Sequence, residues 1–182
     1  IKVCKASITT ISVPAIGDAD TYTWTLPAGV VITSPYTGTY VTTTNSITVN
    51  WNGVASGLYT VCAKATNSCG AGPDQCTPLQ VIDVALSHSV TPVSCFGSRT
   101  GSIDLSVSGG QLPYTYAWTG PNGYSASIQD ISGLAAGSYT VTVTEANGCT
   151  ATATISVTQP AAAITATASP ASITCGDSNG AI

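Results

Sequence analysis

GSYTVTVTEANGCTATATISV, residues Gly137–Val157, decides the fold class. Tyr139, Val141 and Val143 alternate with Thr140, Thr142 and Thr144. A period of two sets the large apolar side chains on one face and the hydroxyls on the other, as in a strand with one buried face. Asn147-Gly148 then supplies a turn, since both residues tolerate positive φ. The pattern resumes and ends in Thr154-Ile-Ser-Val157. The stretch therefore reads as two antiparallel strands joined by a hairpin.

Working outward, Tyr114-Thr-Tyr116-Ala-Trp118, Ile103-Asp-Leu105-Ser-Val107 and Tyr22-Thr-Trp24-Thr-Leu26 alternate in the same way. Asn-Gly pairs recur at 52–53, 122–123 and 179–180, and no segment carries a helical period. Short strands with regular turns predict β-sandwiches. The chain also repeats. VSCFGSRTGSIDLSVSGG (Val93–Gly110) begins again as ITCGDSNGAI at Ile173; Cys95 and Cys175 hold the same place, and 175 − 95 = 80. An 80-residue period predicts modules in tandem, each with its own core. We place them at 1–84, 85–160 and 161–182, the last being the start of a further repeat. Leu79-Gln-Val-Ile-Asp-Val84 reads as a last strand and Ala85-Leu-Ser-His-Ser-Val90 as a first. Pro160 cannot donate to a ladder and ends the strand before it. No Gly/Ser-rich linker separates the modules, which predicts a stiff, extended line.

Of 182 residues, 43% are hydrophobic and only 7% charged, against roughly 25% charged in typical soluble domains. The expectation is a dense β protein with a neutral, hydroxyl-rich surface. Four basic residues, Lys2, Lys5, Lys64 and Arg99, form no patch able to neutralise phosphates, so nucleic-acid binding is not expected. No apolar run is long enough for a membrane-spanning helix. The chain opens in mid-pattern without an initiator Met, as an excised fragment would. Seven cysteines with a single histidine, His88, predict disulfides and an oxidising, extracellular compartment rather than a zinc site.

The second module closely resembles the SprB repeat of giant surface adhesins in gliding Bacteroidota. The resemblance lies in Val93–Gly110, PYTYAW (Pro113–Trp118), GLAAGSYTVTVTEANGC (Gly133–Cys149) and VTQP (Val157–Pro160). The first module resembles PKD-like immunoglobulin-type domains. It does so in Val3–Ile32, SITVNW (Ser46–Trp51), GLYTV (Gly57–Val61) and NSCGAG (Asn67–Gly72). With the strand pattern, this gives a fold class: all-β, tandem immunoglobulin-like antiparallel β-sandwiches in an extended array. The resemblance implies type IX secretion and display at the cell surface. It also implies a non-enzymatic, disulfide-stabilised stalk or fibre in adhesion and gliding motility. The alternatives are a polysaccharide-binding module and the accessory array of a secreted hydrolase. Expected partners are neighbouring repeats, surface polysaccharide or other chains of a surface complex.

Cys95 and Cys149 are the only cysteines of the second module and are expected to pair; Cys175 is expected to pair beyond the fragment. Four cysteines in the first module allow three arrangements. The preferred one is Cys4–Cys69 with Cys62–Cys76, because a tight turn at Asn67–Gly70 sets Cys62 opposite Cys76 and gives Cys69 the place of Cys149. The rival is Cys4–Cys62 with Cys69–Cys76. Trp24 and Trp118 read as core residues. Trp51, ending a strand before Asn52-Gly53, reads as half exposed and as a candidate glycan contact. Tyr59 and Tyr139 each open a strand after a glycine-containing turn and read as tyrosine corners. His88 and the only glutamate, Glu145, assemble no catalytic set, and no enzyme is expected. No cofactor is expected; Asp18-Ala-Asp20 offers two carboxylates toward a calcium site but reads as a solvated turn.

Overall fold

The computed structural model describes residues 1–5, 7–32 and 39–162. The first sandwich holds β1 (Lys2–Cys4), β2 (Ile8–Ser12), β3 (Thr21–Thr25), β4 (Val31–Ile32), β5 (Thr39–Thr42), β6 (Ser46–Asn50), β7 (Gly57–Asn67) and β8 (Gly70–Ile82). One sheet runs β1-β8-β7-β3-β5 and the facing sheet runs β2-β6-β4. All pairings are antiparallel except β1, which lies parallel to the end of β8.

The second sandwich holds β9 (Val84–Thr91), β10 (Gly101–Gly109), β11 (Thr115–Thr119), β12 (Ser125–Ala126), β13 (Ile131–Leu134), β14 (Gly137–Thr144) and β15 (Thr150–Val157). Its sheets run β13-β10-β9 and β12-β11-β14-β15. The only helical piece among the described residues is a single 3-10 turn at Pro121–Gly123. The chain is thus all-β, two immunoglobulin-like sandwiches in series. The strand break between them falls at Asp83 alone. The segment expected to open a further repeat lies, from residue 163 on, outside the described residues, and Cys175 with it.

Alternation in the sequence becomes alternation in burial. Val61, Ala63 and Ala65 of β7 face one core, and Tyr139, Val141 and Val143 of β14 face the other. Trp24 and Trp118 sit at the centres. Each indole N–H finds an oxygen at 2.9 Å, Thr42 Oγ1 for Trp24 and the Ile128 carbonyl for Trp118, which removes the cost of burying the donor. The outward threonines pair across strands: Thr140 with Thr154 at 3.1 Å, and Thr10 with Thr48 at 3.3 Å. Cross-strand hydroxyl pairs stabilise a sheet without charge, which suits a chain with so few ions. Tyr59 donates to Ala55 O at 2.9 Å and Tyr139 to Ala135 O at 3.0 Å, so each ring is clamped four residues from its own turn.

Trp51 corrects an expectation. It is 0% exposed and belongs to the first core, so it offers no surface to a sugar. The Asn52-Gly53 turn folds back, Val54 N donating to Trp51 O at 3.2 Å, and places Val54 in the same core. Its indole N–H finds no acceptor among the described residues.

Candidate functional site: the joint between the sandwiches

The residues that sequence reasoning marked for chemistry do not converge. His88 is exposed on β9, opposite Leu105. Asp18 and Asp20 are exposed. Among the described residues no group of three His, Cys, Asp or Glu side chains gathers to hold a metal. What converges instead is the joint.

Two of the expected disulfides are replaced there. Cys4 is bonded to Cys149, across the joint, with their Cα atoms 5.3 Å apart. Cys95–Cys149 and Cys4–Cys69 are not formed, nor is the rival Cys4–Cys62 with Cys69–Cys76; Cys69 and Cys95 are free and exposed. The reason is polarity. Cys149 sits at the β14–β15 turn, facing the first sandwich, whereas Cys95 sits near Thr158 and Gln159 at the other end. The length of β15 separates them by roughly 25 Å, and a disulfide tolerates no more than about 7 Å between Cα atoms. Cys4 pairs in register with Ile82 while Cys69 precedes Gly70, so β8 separates those two by roughly 40 Å. Cys62 and Cys76 face each other in the β7–β8 register and are bonded, Cα to Cα 4.0 Å.

Around the Cys4–Cys149 bond, Ile82, Val84 and Cys149 form a small buried cluster, with Leu86, Val107 and Ala151 packed on it. Polar contacts ring it. Lys5 Nζ lies 2.6 Å from Asp83 Oδ2, and Lys2 Nζ donates to Asn147 Oδ1 at 3.1 Å and to Gln111 Oε1. These exposed contacts orient the joint more than they stabilise it. Closing a loop of 145 residues restrains the unfolded chain by about 5 kcal/mol on the loop-entropy account.

Glu145 holds the turn that presents Cys149. The residue is 3% exposed, and its carboxylate accepts from Asn147 N at 2.7 Å, Cys149 N at 3.0 Å, Gln111 N at 3.0 Å and Asn147 Nδ2 at 2.8 Å. Burial alone would raise its pKa; the hydrogen bonds from Cys149, Asn147 and Gln111 outweigh burial and hold it below the ordinary value. Gly109 makes the close approach possible. Its φ is +76°, and a Cβ there would lie 2.2 Å from the Asp83 carbonyl oxygen. The double glycine of the repeat signature is thus where the second sandwich meets the chain entering it.

The sequence matches the PKD-like domain family over residues 1–81 and the SprB repeat family over residues 87–123, the arrangement that the motifs suggested. No curated protein matches the chain in sequence. Among solved structures it is similar to the four N-terminal immunoglobulin domains of Dscam1 isoform 8.4, at 17% identity and TM-score 0.34, covering 88% of this chain and 43% of that one. It is similar to a C-terminal 282-residue fragment of intimin, solved with the intimin-binding domain of the translocated intimin receptor. That likeness has 19% identity and TM-score 0.45, over 83% of this chain and 57% of that one. It is also similar to the FN1–FN3 domains of chicken CNTN1, at 15% identity and TM-score 0.34, over 87% and 62%. The chain spans about half the length of the first two.

Proposed function

We propose that this chain is a non-enzymatic, force-bearing segment of a large cell-surface adhesin, exported by type IX secretion and serving gliding motility in a member of the Bacteroidota. The observation that carries the reading is the Cys4–Cys149 bond. Force entering at Ile1 crosses from Cys4 to Cys149 directly and bypasses the chain between them. A segment wired in this way transmits tension without lengthening between Cys4 and Cys149, which is what a stalk needs. The SprB repeat match supports the surface location, and the bond itself persists in the oxidising conditions found there. Low charge lets such stalks lie side by side without repulsion. The families matched are of kinds that are typically non-enzymatic.

The test is single-molecule stretching between the two ends, with and without reductant. The expected result is a short, stiff response in the oxidised chain and a long extension after reduction. Equal extension in both would remove the force-bearing role.

A further inference from the structure

The two free cysteines among the described residues lie at the two outer poles of the pair of sandwiches, and each duplicates a bonded cysteine. Cys95 duplicates Cys4. Each stands in the segment that runs beside the end of its sandwich's last strand: Lys5 N donates to Ile82 O at 2.7 Å in the first, Val93 N to Thr158 O at 2.8 Å in the second. Each is followed by the same turn, Ser7 N donating to Cys4 O at 3.1 Å and Ser98 N to Cys95 O at 3.1 Å. Cys69 duplicates Cys149. Each ends the turn immediately before its sandwich's last strand, with its N–H held by the side chain that opens the turn: Asn67 Oδ1 at 2.9 Å, Glu145 Oε1 at 3.0 Å. Each of the two described sandwiches therefore carries one cysteine at its leading pole and one at its trailing pole. At the joint in view, the trailing cysteine of one is bonded to the leading cysteine of the next.

We propose that Cys95 is the docking cysteine for the following repeat. It forms an inter-module disulfide with the cysteine that stands before that repeat's last strand, the place of Cys149 one period on. Three observations meet here. The signature that contains Cys95 begins again at Ile173, which supports a further repeat after the second sandwich. Cys95 is exposed at the pole where that repeat must attach. Its neighbour Phe96 is 51% exposed there, an apolar ring with no cover among the described residues, whereas the first joint buries Ile82 and Val84.

The bond forms by thiol–disulfide exchange with an oxidised dithiol carrier protein. The Cys95 thiolate attacks one carrier sulfur and displaces the other as a thiolate; the partner's thiolate then attacks the Cys95 sulfur and releases the carrier. Two thiols lose two protons and two electrons in total, and the carrier disulfide is reduced to a dithiol. The proposal shares with the stalk reading the premise of a tandem array and takes the Cys4–Cys149 bond as the pattern it extends.

The experiment is a non-reducing peptide map of the full parent chain, alkylated before unfolding. Chymotrypsin is preferred, because four basic residues leave trypsin too few cuts here. The expected result is a linked pair joining the Cys95 peptide to the turn peptide of the next repeat, with no alkylation at Cys95. In the Cys95→Ser chain, one new alkylated cysteine appears in the next repeat and none at Cys4 or Cys149. Alkylated Cys95, a Cys95–Cys149 pair, or a Cys95 link to Cys175 or to another chain would each overturn the proposal. A Cys95 free beside an intact Cys4–Cys149 bond sinks this inference alone; loss of the Cys4–Cys149 bond sinks the stalk reading.

Discussion

Pulling the chain by its ends separates the covalent wiring of the joint from its packing. Cys4 and Cys149 are 145 residues apart in sequence but 5.3 Å apart in space. At about 3.4 Å per extended residue, breaking their bond makes roughly 490 Å of chain newly available. With the bond intact, only residues 1–3 and 150–182 can extend, the latter by roughly 110 Å once β15 is pulled free, whatever unfolds inside the loop. The Cys4→Ser, Cys149→Ser double variant gives a finer measure than reductant. It retains Cys62–Cys76, whose separation of 14 residues still hides roughly 50 Å, so the variant should release about 440 Å and the fully reduced chain the whole. Optical-tweezers or force-microscope traces of the 182-residue chain read both lengths. A wild-type oxidised chain that releases several hundred ångströms below the rupture force of a covalent bond would refute the bypass. A reduced chain no longer than the oxidised one would refute it equally.

Other perturbations act on the packing around that bond. Gly109→Ala forces an L side chain into φ +76° against the Asp83 carbonyl; the expected cost exceeds about 2 kcal/mol, read as a lower denaturant midpoint for the second sandwich. Glu145 gives a pH signature. Its folded-state pKa is depressed, so the stability it contributes is present above the ordinary glutamate value and is lost as pH falls through the folded value. Urea melts from pH 6 down to pH 2 should show that loss, and Glu145→Gln should flatten it while destabilising the neutral protein by roughly 2–3 kcal/mol. An unchanged acid slope in the variant would mean that other carboxylates govern it.

The fold was legible in the sequence because its determinants are local. A period of two over five residues is enough to orient Tyr22 and Trp24 or Val141 and Val143, and a glycine-containing turn before Tyr59 or Tyr139 is enough to mark the corner. The disulfides were not legible by the same means. Pairing Cys95 with Cys149 assumed that a module closes on itself, and local pattern says nothing about which pole of a sandwich a cysteine occupies. A usable signal did exist. Cys4-Lys-Ala-Ser7 and Cys95-Phe-Gly-Ser98 share a spacing, as the turns of Cys69 and Cys149 share a place, and together these matches assign each cysteine to a pole. Trp51 ends a strand yet lies in the core, because the turn after it doubles back and returns Val54 to the same cluster, which a local pattern does not signal. Gly109-Gly110 stood in the repeat signature, but their role needs the neighbour that they touch.

If cysteines pair between modules rather than within them, a single module is the wrong unit to isolate. The fragment 85–160 would carry Cys95 and Cys149 at opposite ends of one sandwich, roughly 25 Å apart, and no rotamer change closes that gap. Oxidation then has only intermolecular outlets. Cys149 of one copy meets the Cys95 pole of another in the geometry that Cys4 supplies in the intact chain. The fragment should therefore form reducible dimers and longer head-to-tail oligomers, visible on non-reducing gels and in light scattering, and the Cys95→Ser fragment should stop at dimers through Cys149. An oxidised monomer containing an internal Cys95–Cys149 bond, with a cooperative melt above that of its reduced form, would show that the sandwich can close on itself after all.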